Sequence, residues 1–123
     1  MSLITKEERD DLVSTLMNGL PLPPDMPIDD LTMQIWQNIA ELPHPMDSSF
    51  NILGRSSIVN VLNEDKDKVM NINISPDQIK FEVLIPQHKI SRSDRAVSAF
   101  GVMATVGAWN QVLDKIHVKQ SNS

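Results

Sequence analysis

The chain has 123 residues, 41% of them hydrophobic and 22% charged, with a net charge of −5. That length accommodates one domain with a buried core, and the negative charge argues against broad electrostatic binding to nucleic acid or anionic lipid. The absence of cysteine excludes disulfides, thiolate nucleophiles and zinc–thiolate sites. No basic region followed by an apolar run opens the sequence, so we expect no secretory signal and a cytoplasmic protein.

The first predicted helix begins at Thr5, which forms the T-x-x-E pattern of a capping box with Glu8. The apolar stripe of this helix continues to Leu20. The proline-rich run LPLPPDMP then excludes further helix. Its P-x-x-P spacing is typical of ligands that dock in aromatic grooves, and an extended connector between two helices is the alternative.

A second helix is predicted to begin at Asp29 or Asp30 and to end before the Pro-His-Pro segment. Met33 and Trp36 broaden its apolar stripe, which consists of Leu31, Ile35, Ile39 and Leu42.

A three-stranded antiparallel meander is predicted next. The segments VMNINI and IKFEVLI flank residues 75–78, a turn with proline in its favoured second position. Pairing across this turn sets Ile72 opposite Phe81, and pairing across the polar turn NEDKDK sets Val59 beside Ile72. In this register the apolar side chains share one face, and the Asn, Lys and Glu side chains of the other face meet water. Residues 48–56 fit either a helix face or a fourth strand.

The last helix is predicted to begin at Ser91 or Ser93 and to end near Val118, followed by a flexible tail over residues 119–123. The predicted order is therefore α-α-β-β-β-α. This order indicates a single α+β domain over residues 1–118. A small antiparallel sheet of three or four strands is covered by the long C-terminal helix, with two N-terminal helices packed beside or across that layer.

Residues 96–113 carry no charge and approach the length that crosses a bilayer. Polar residues interrupt them and no polybasic flank sets a topology, so we expect no membrane span. At 100° per residue, the stripe predicted to face the sheet consists of Val102, Val106, Trp109, Leu113 and Ile116. The opposite side carries an apolar patch of Ala96, Phe100, Met103, Ala104 and Gly107. Either a helix of the same chain covers this patch, or it is the seam of a homodimer or another partner interface.

Four basic residues gather just before and within the first turn of the last helix: His88, Lys89, Arg92 and Arg95. A helix N-terminus presents free N–H groups and partial positive charge, so added cations suit an anion such as phosphate. The alternative is an ordinary serine cap in which Asp94 neutralises its neighbours. No glycine-rich phosphate loop accompanies the cluster.

The three histidines, His44, His88 and His117, lack metal-ligand spacing, so we predict neither a metal site nor a cofactor. No segment resembles a nucleophile elbow, and we predict no enzyme activity.

Two function classes follow from these patterns. The first is a non-catalytic protein-binding module of the chaperone, adaptor, immunity or inhibitor type, which acts through an apolar helix surface as a homodimer or with another protein. The second is an anion- or nucleic-acid-binding protein that uses the basic helix N-terminus. The net negative charge argues against nucleic acid as the partner.

Overall fold

The computed structural model describes residues 20–23 and 25–121. Its elements are β1 (Leu20–Pro21), α1 (Ile28–Ala40), β2 (Asp47–Leu53), β3 (Ser56–Leu62), β4 (Lys68–Ile74), β5 (Gln78–Val83) and α2 (Arg92–Ser121). The strands form one antiparallel sheet in the order β1-β5-β4-β3-β2, to which β1 contributes two residues. The α+β class, the small sheet and the long C-terminal helix are confirmed. One predicted N-terminal helix is present as α1; the other, from Thr5, lies outside the described residues.

The register of the meander is the predicted one. Ile72 lies opposite Phe81 across the β4–β5 turn and opposite Val59 on β3. The segment that the sequence left open, residues 48–56, contains most of the fourth long strand, β2, which ends at Leu53 and pairs with β3 through contacts such as Phe50 opposite Val59. Gly54 opens the two-residue turn between β2 and β3 with φ +64°, a conformation that only glycine adopts at no steric cost.

A β-bulge lies on β4 next to the polar turn. Met70 pairs with Val61 and Lys68 pairs with Leu62, so Val69 has no partner on β3. Val69 and Met70 are both fully buried, although consecutive strand residues normally point to opposite faces. The bulge therefore places two consecutive apolar side chains in the core and leaves Lys68 exposed.

The core lies between one face of the sheet and the two helices. α1 lies over β2 and β3, α2 lies over β3 and β4, and the helices pack against each other. Neither of the described helices covers the opposite face, where the polar side chains are half-buried or exposed. The fully buried strand residues of the helix-covered face are Ser57, Val59, Val61, Val69, Met70, Ile72, Ile74 and Ile79.

α1 begins differently from the sequence prediction. Neither Asp29 nor Asp30 caps it: Pro27 is the N-cap residue and makes no side-chain hydrogen bond. The two aspartates lie in the first turn, where they interact favourably with the positive end of the helix dipole. The predicted apolar stripe is buried at Leu31, Ile35 and Ile39, whereas Leu42 lies beyond the end of the helix.

The face that α2 turns to the core also differs from the prediction. The stripe that was predicted to face the sheet, from Val102 to Ile116, lies on one flank of α2, where its residues are half-buried. The core-facing residues, displaced from that stripe by roughly 100° around the helix, are Val97, Gly101, Ala104, Thr105, Ala108 and Val112. Small residues take this position because the helix approaches the sheet closely. A Cβ added at Gly101 would lie 2.9 Å from Met70 Sδ.

The ends of α2 lie close to the predicted positions. The helix begins at Arg92, one residue after the capping Ser91. Its backbone is helical as far as Ser121, past the predicted end near Val118, because Lys and Gln favour helix.

Candidate functional site

A buried hydroxyl pair anchors α1 over the outer strands of the sheet. Thr32 Oγ1 lies 2.6 Å from Ser57 Oγ on β3, and it donates a hydrogen bond of 2.7 Å to the carbonyl of Ile28. Ser57 pairs with Ile52 of β2. This contact therefore places the first half of α1 above the Ile52 end of β2.

The flank of α1 that points away from α2 carries exposed apolar side chains. The Trp36 and Phe50 rings meet edge to face, with centroids 5.9 Å apart. Trp36 remains 41% exposed and Met33, one turn earlier, 48% exposed, while Ile52 of β2 is 39% exposed. Met33, Trp36, Phe50 and Ile52 form a surface that we call the edge patch, since it lies along the outer margin of the sheet.

The outer side of β2 pairs with no strand of the described chain. Natural edge strands are usually blunted by Lys, Pro or a bulge, and β2, with the sequence DSSFNIL, has none of these. Its one charge, Asp47, accepts hydrogen bonds from Lys66 Nζ at 3.1 Å and from the Ser48 N–H at 2.8 Å. Those two bonds hold the pKa of the Asp47 carboxyl below its usual value.

The Ser48–Asp47 bond also shows which backbone groups face outward. Because the Ser48 N–H donates to a side chain of its own strand, it points away from β3. In an antiparallel ladder alternate residues direct both N–H and C=O to the same side. The backbone groups of Phe50 and Ile52 therefore also face the open edge.

The apolar patch predicted on the last helix is largely covered by the same chain. Ala104 is buried, and its carbonyl accepts a 3.1 Å hydrogen bond from Asn38 Nδ2 of α1. A Cβ added at Gly107 would lie 3.7 Å from that same nitrogen. The Phe100 ring packs on His44, with centroids 5.0 Å apart.

Two members of the predicted patch are less covered. Ala96 is half-buried, and Met103 points outward with 62% of its surface exposed. A partner interface at this patch stays a prediction, now centred on Met103.

The four residues of the predicted anion site are all exposed around a capped helix start. The Asp94 N–H donates to Ser91 Oγ at 3.0 Å and the Ser91 N–H donates to Asp94 Oδ2 at 3.3 Å, which is a reciprocal capping box. Asn63 Nδ2 donates to Asp94 Oδ1 at 3.0 Å, and this bond lowers the pKa of the Asp94 carboxyl. The geometry corresponds to the serine cap that the sequence offered as the alternative.

Across residues 20–23 and 25–121, no three His, Asp or Glu side chains lie where they could hold a metal ion. The helix over Arg92–Ile116 is long and apolar enough to cross a membrane. About a third of its apolar window is buried within this chain, at residues that include Val97, Ala104 and Ala108. Placement away from membranes stays a prediction.

Comparison with models of protein families, with curated proteins and with solved structures gave no match.

Sequence reasoning assigned Trp36 to the core stripe of α1 and so missed the edge patch. The signal that could have separated it is angular: Trp36 lies about 90° around the helix from the centre of the buried stripe.

Proposed function

We propose that this chain is a non-catalytic, cytoplasmic protein-binding module that binds an extended segment of a partner along β2. The observation that supports this is the edge patch beside an unpaired strand edge. Strand addition needs both features, because backbone hydrogen bonds supply affinity and contacts to alternate side chains supply specificity.

The chemistry of the edge patch suits a protein partner. Large aromatic and methionine side chains are enriched in the buried centres of interfaces, and Trp36 and Met33 are exposed here. Phe50 supports Trp36 from below and Ile52 extends the surface along the strand. An added strand would cover the open backbone groups and turn every second side chain toward Trp36.

The partner segment needs no particular charge. Asp47 is the only charged residue of β2, and it forms an exposed ion pair with Lys66. Binding should therefore persist at high salt, since screening weakens exposed charge pairs far more than apolar contacts. An anion-binding role at His88, Lys89, Arg92 and Arg95 would instead weaken steeply with salt. No observation in the structure favours that alternative over the cap.

A photo-crosslinking residue at position 36 tests the proposal in cells of the native host. We expect an adduct of one discrete mass, identifiable by mass spectrometry and still formed at high salt. The matched control places the same residue at position 103, since Met103 is the exposed apolar side chain of the other predicted interface. An adduct from position 103 alone would move the interface to α2, and no adduct from either position would overturn the proposal.

A further inference from the structure

We infer that the segment accepted by β2 is β2 of a second copy of this chain, paired antiparallel about a two-fold axis at Phe50. This inference rests on the proposed function and names its partner. The resulting dimer would have one continuous sheet running through both copies.

The open backbone groups of β2 are self-complementary. β2 has seven residues with Phe50 at its centre, and the residues whose groups face outward are Ser48, Phe50 and Ile52. A two-fold axis at Phe50 sets Phe50 against its own copy and Ile52 against Ser48 of the second copy. All three outward residues then exchange backbone bonds, with the Ser48 N–H giving up its bond to Asp47 Oδ1 for the Ile52 carbonyl of the second copy. A shift of two residues leaves one of the three opposite a position outside β2.

The side chains obey the same symmetry. Phe50 and Ile52 point to the α1 side of the sheet, as the Trp36 contact and the pairing with Ser57 show. The two-fold axis therefore brings the edge patch of one copy against that of the other. An isologous interface requires a surface of this kind, which is complementary to itself. Aromatic cross-strand pairs such as Phe50 with its copy add to the pairing of the strands.

The charges of β2 favour the antiparallel copy. In the proposed register Asp47 lies opposite Leu53 of the second copy, at the far end of the paired strands. The two Asp47 carboxylates are then roughly 20 Å apart along the strand, beyond the screening length of about 8 Å at physiological salt. A parallel pairing would place them side by side. The separation matters because each copy carries a net charge of −5.

The first test is the oligomeric state of the full chain by analytical ultracentrifugation, from micromolar to near-millimolar concentration. We expect a reversible dimer. Ile52→Lys, at a side chain already 39% exposed, should raise the dissociation constant by at least about tenfold, because an edge lysine blocks strand addition. Met103→Lys is the matched control, with the same change at a 62% exposed position on α2. It should leave the constant within about twofold.

The second test reads the register directly and does not depend on a disruptive variant. Position 49 lies opposite position 51 of the second copy, a spacing within reach of a disulfide. Because the chain has no cysteine, the single variants Ser49→Cys and Asn51→Cys carry one thiol each. Mixed under mild oxidation they should cross-link, and each variant alone should cross-link far less.

The outcomes separate this inference from the proposed function. A monomeric wild type, or a cross-link with no preference for the mixture, overturns the self-pairing. Dissociation by Met103→Lys but not by Ile52→Lys overturns it as well and assigns the dimer to the patch on α2. A monomer that nevertheless gives a foreign adduct from position 36 overturns only the self-pairing. A monomer without any adduct overturns both.

Discussion

Removing the two hydroxyls of the Thr32–Ser57 pair should have unequal effects on stability. A hydroxyl has one proton, and Thr32 gives its proton to the Ile28 carbonyl, which can only accept. Ser57 must therefore donate to Thr32 across the 2.6 Å contact. Both residues are buried, at 0% and 1% exposure, so neither hydroxyl has water as a substitute partner.

The direction of the bond sets the magnitudes. Thr32→Val keeps the shape of the side chain but leaves the Ser57 hydroxyl buried without a partner, which should cost about 2 kcal/mol. Ser57→Ala removes the donor while Thr32 keeps its bond to Ile28, which should cost about 1 kcal/mol. The double variant leaves no buried hydroxyl without a partner. Its loss in free energy of unfolding should therefore be about 1 kcal/mol smaller than the sum of the two single losses.

Urea denaturation followed by circular dichroism would measure these differences, provided the m-values agree among the variants. Thr105→Val is the matched control: Thr105 is equally buried and bonds the Gly101 carbonyl at 2.8 Å. No second hydroxyl bonds to it, so the change should cost about 0.5–1 kcal/mol. If Ser57→Ala costs as much as Thr32→Val, or if the two costs add, the donor assignment is wrong.

Three further changes test other features. Gly54→Ala should destabilise by about 1 kcal/mol in thermal melts and Gly54→Asn by less, because asparagine tolerates positive φ. Asn38→Ala, which removes the hydrogen bonds from α1 to the Ala104 carbonyl and to Gln111 Oε1 of α2, should cost about 1–2 kcal/mol in urea; a neutral result would contradict those bonds. Because the pKa of Asp94 is lowered, its stabilisation is present at neutral pH and is lost below about pH 4. Asn63→Ala should reduce this acid-dependent loss in urea titrations at several pH values.

The meander and its register could be predicted because side-chain alternation admits one solution. A slip of one residue would turn Ile72 and Val59 toward water, so the alternation of apolar and polar side chains fixes the register in which the strands pair. The fourth strand was ambiguous because polar residues surround Phe50 and Ile52 in DSSFNIL. The pairing of β2 with β3, which is a tertiary contact, decides its conformation.

The face of α2 that packs on the sheet could not be predicted. A hydrophobic pattern assigns the largest apolar side chains to the core, whereas the close approach of α2 to the sheet leaves room only for small ones. Gly101 and Ala108 lie against the core, while the larger Trp109 lies on the flank. The candidate site was missed for a related reason: a large apolar side chain was counted with the stripe of α1, although Trp36 lies about 90° from the centre of that stripe. Its contact with Phe50 shows that it lies at an outer margin.

The small residues with which α2 meets the sheet also affect the entropy of folding. Gly101, Ala104 and Ala108 have no rotamers to lose, so fixing them costs almost nothing beyond the backbone. At these three positions the helix therefore docks without ordering any side chain, and the rotamer entropy lost in the core belongs to the larger residues of α1, of the strands and of the rest of α2.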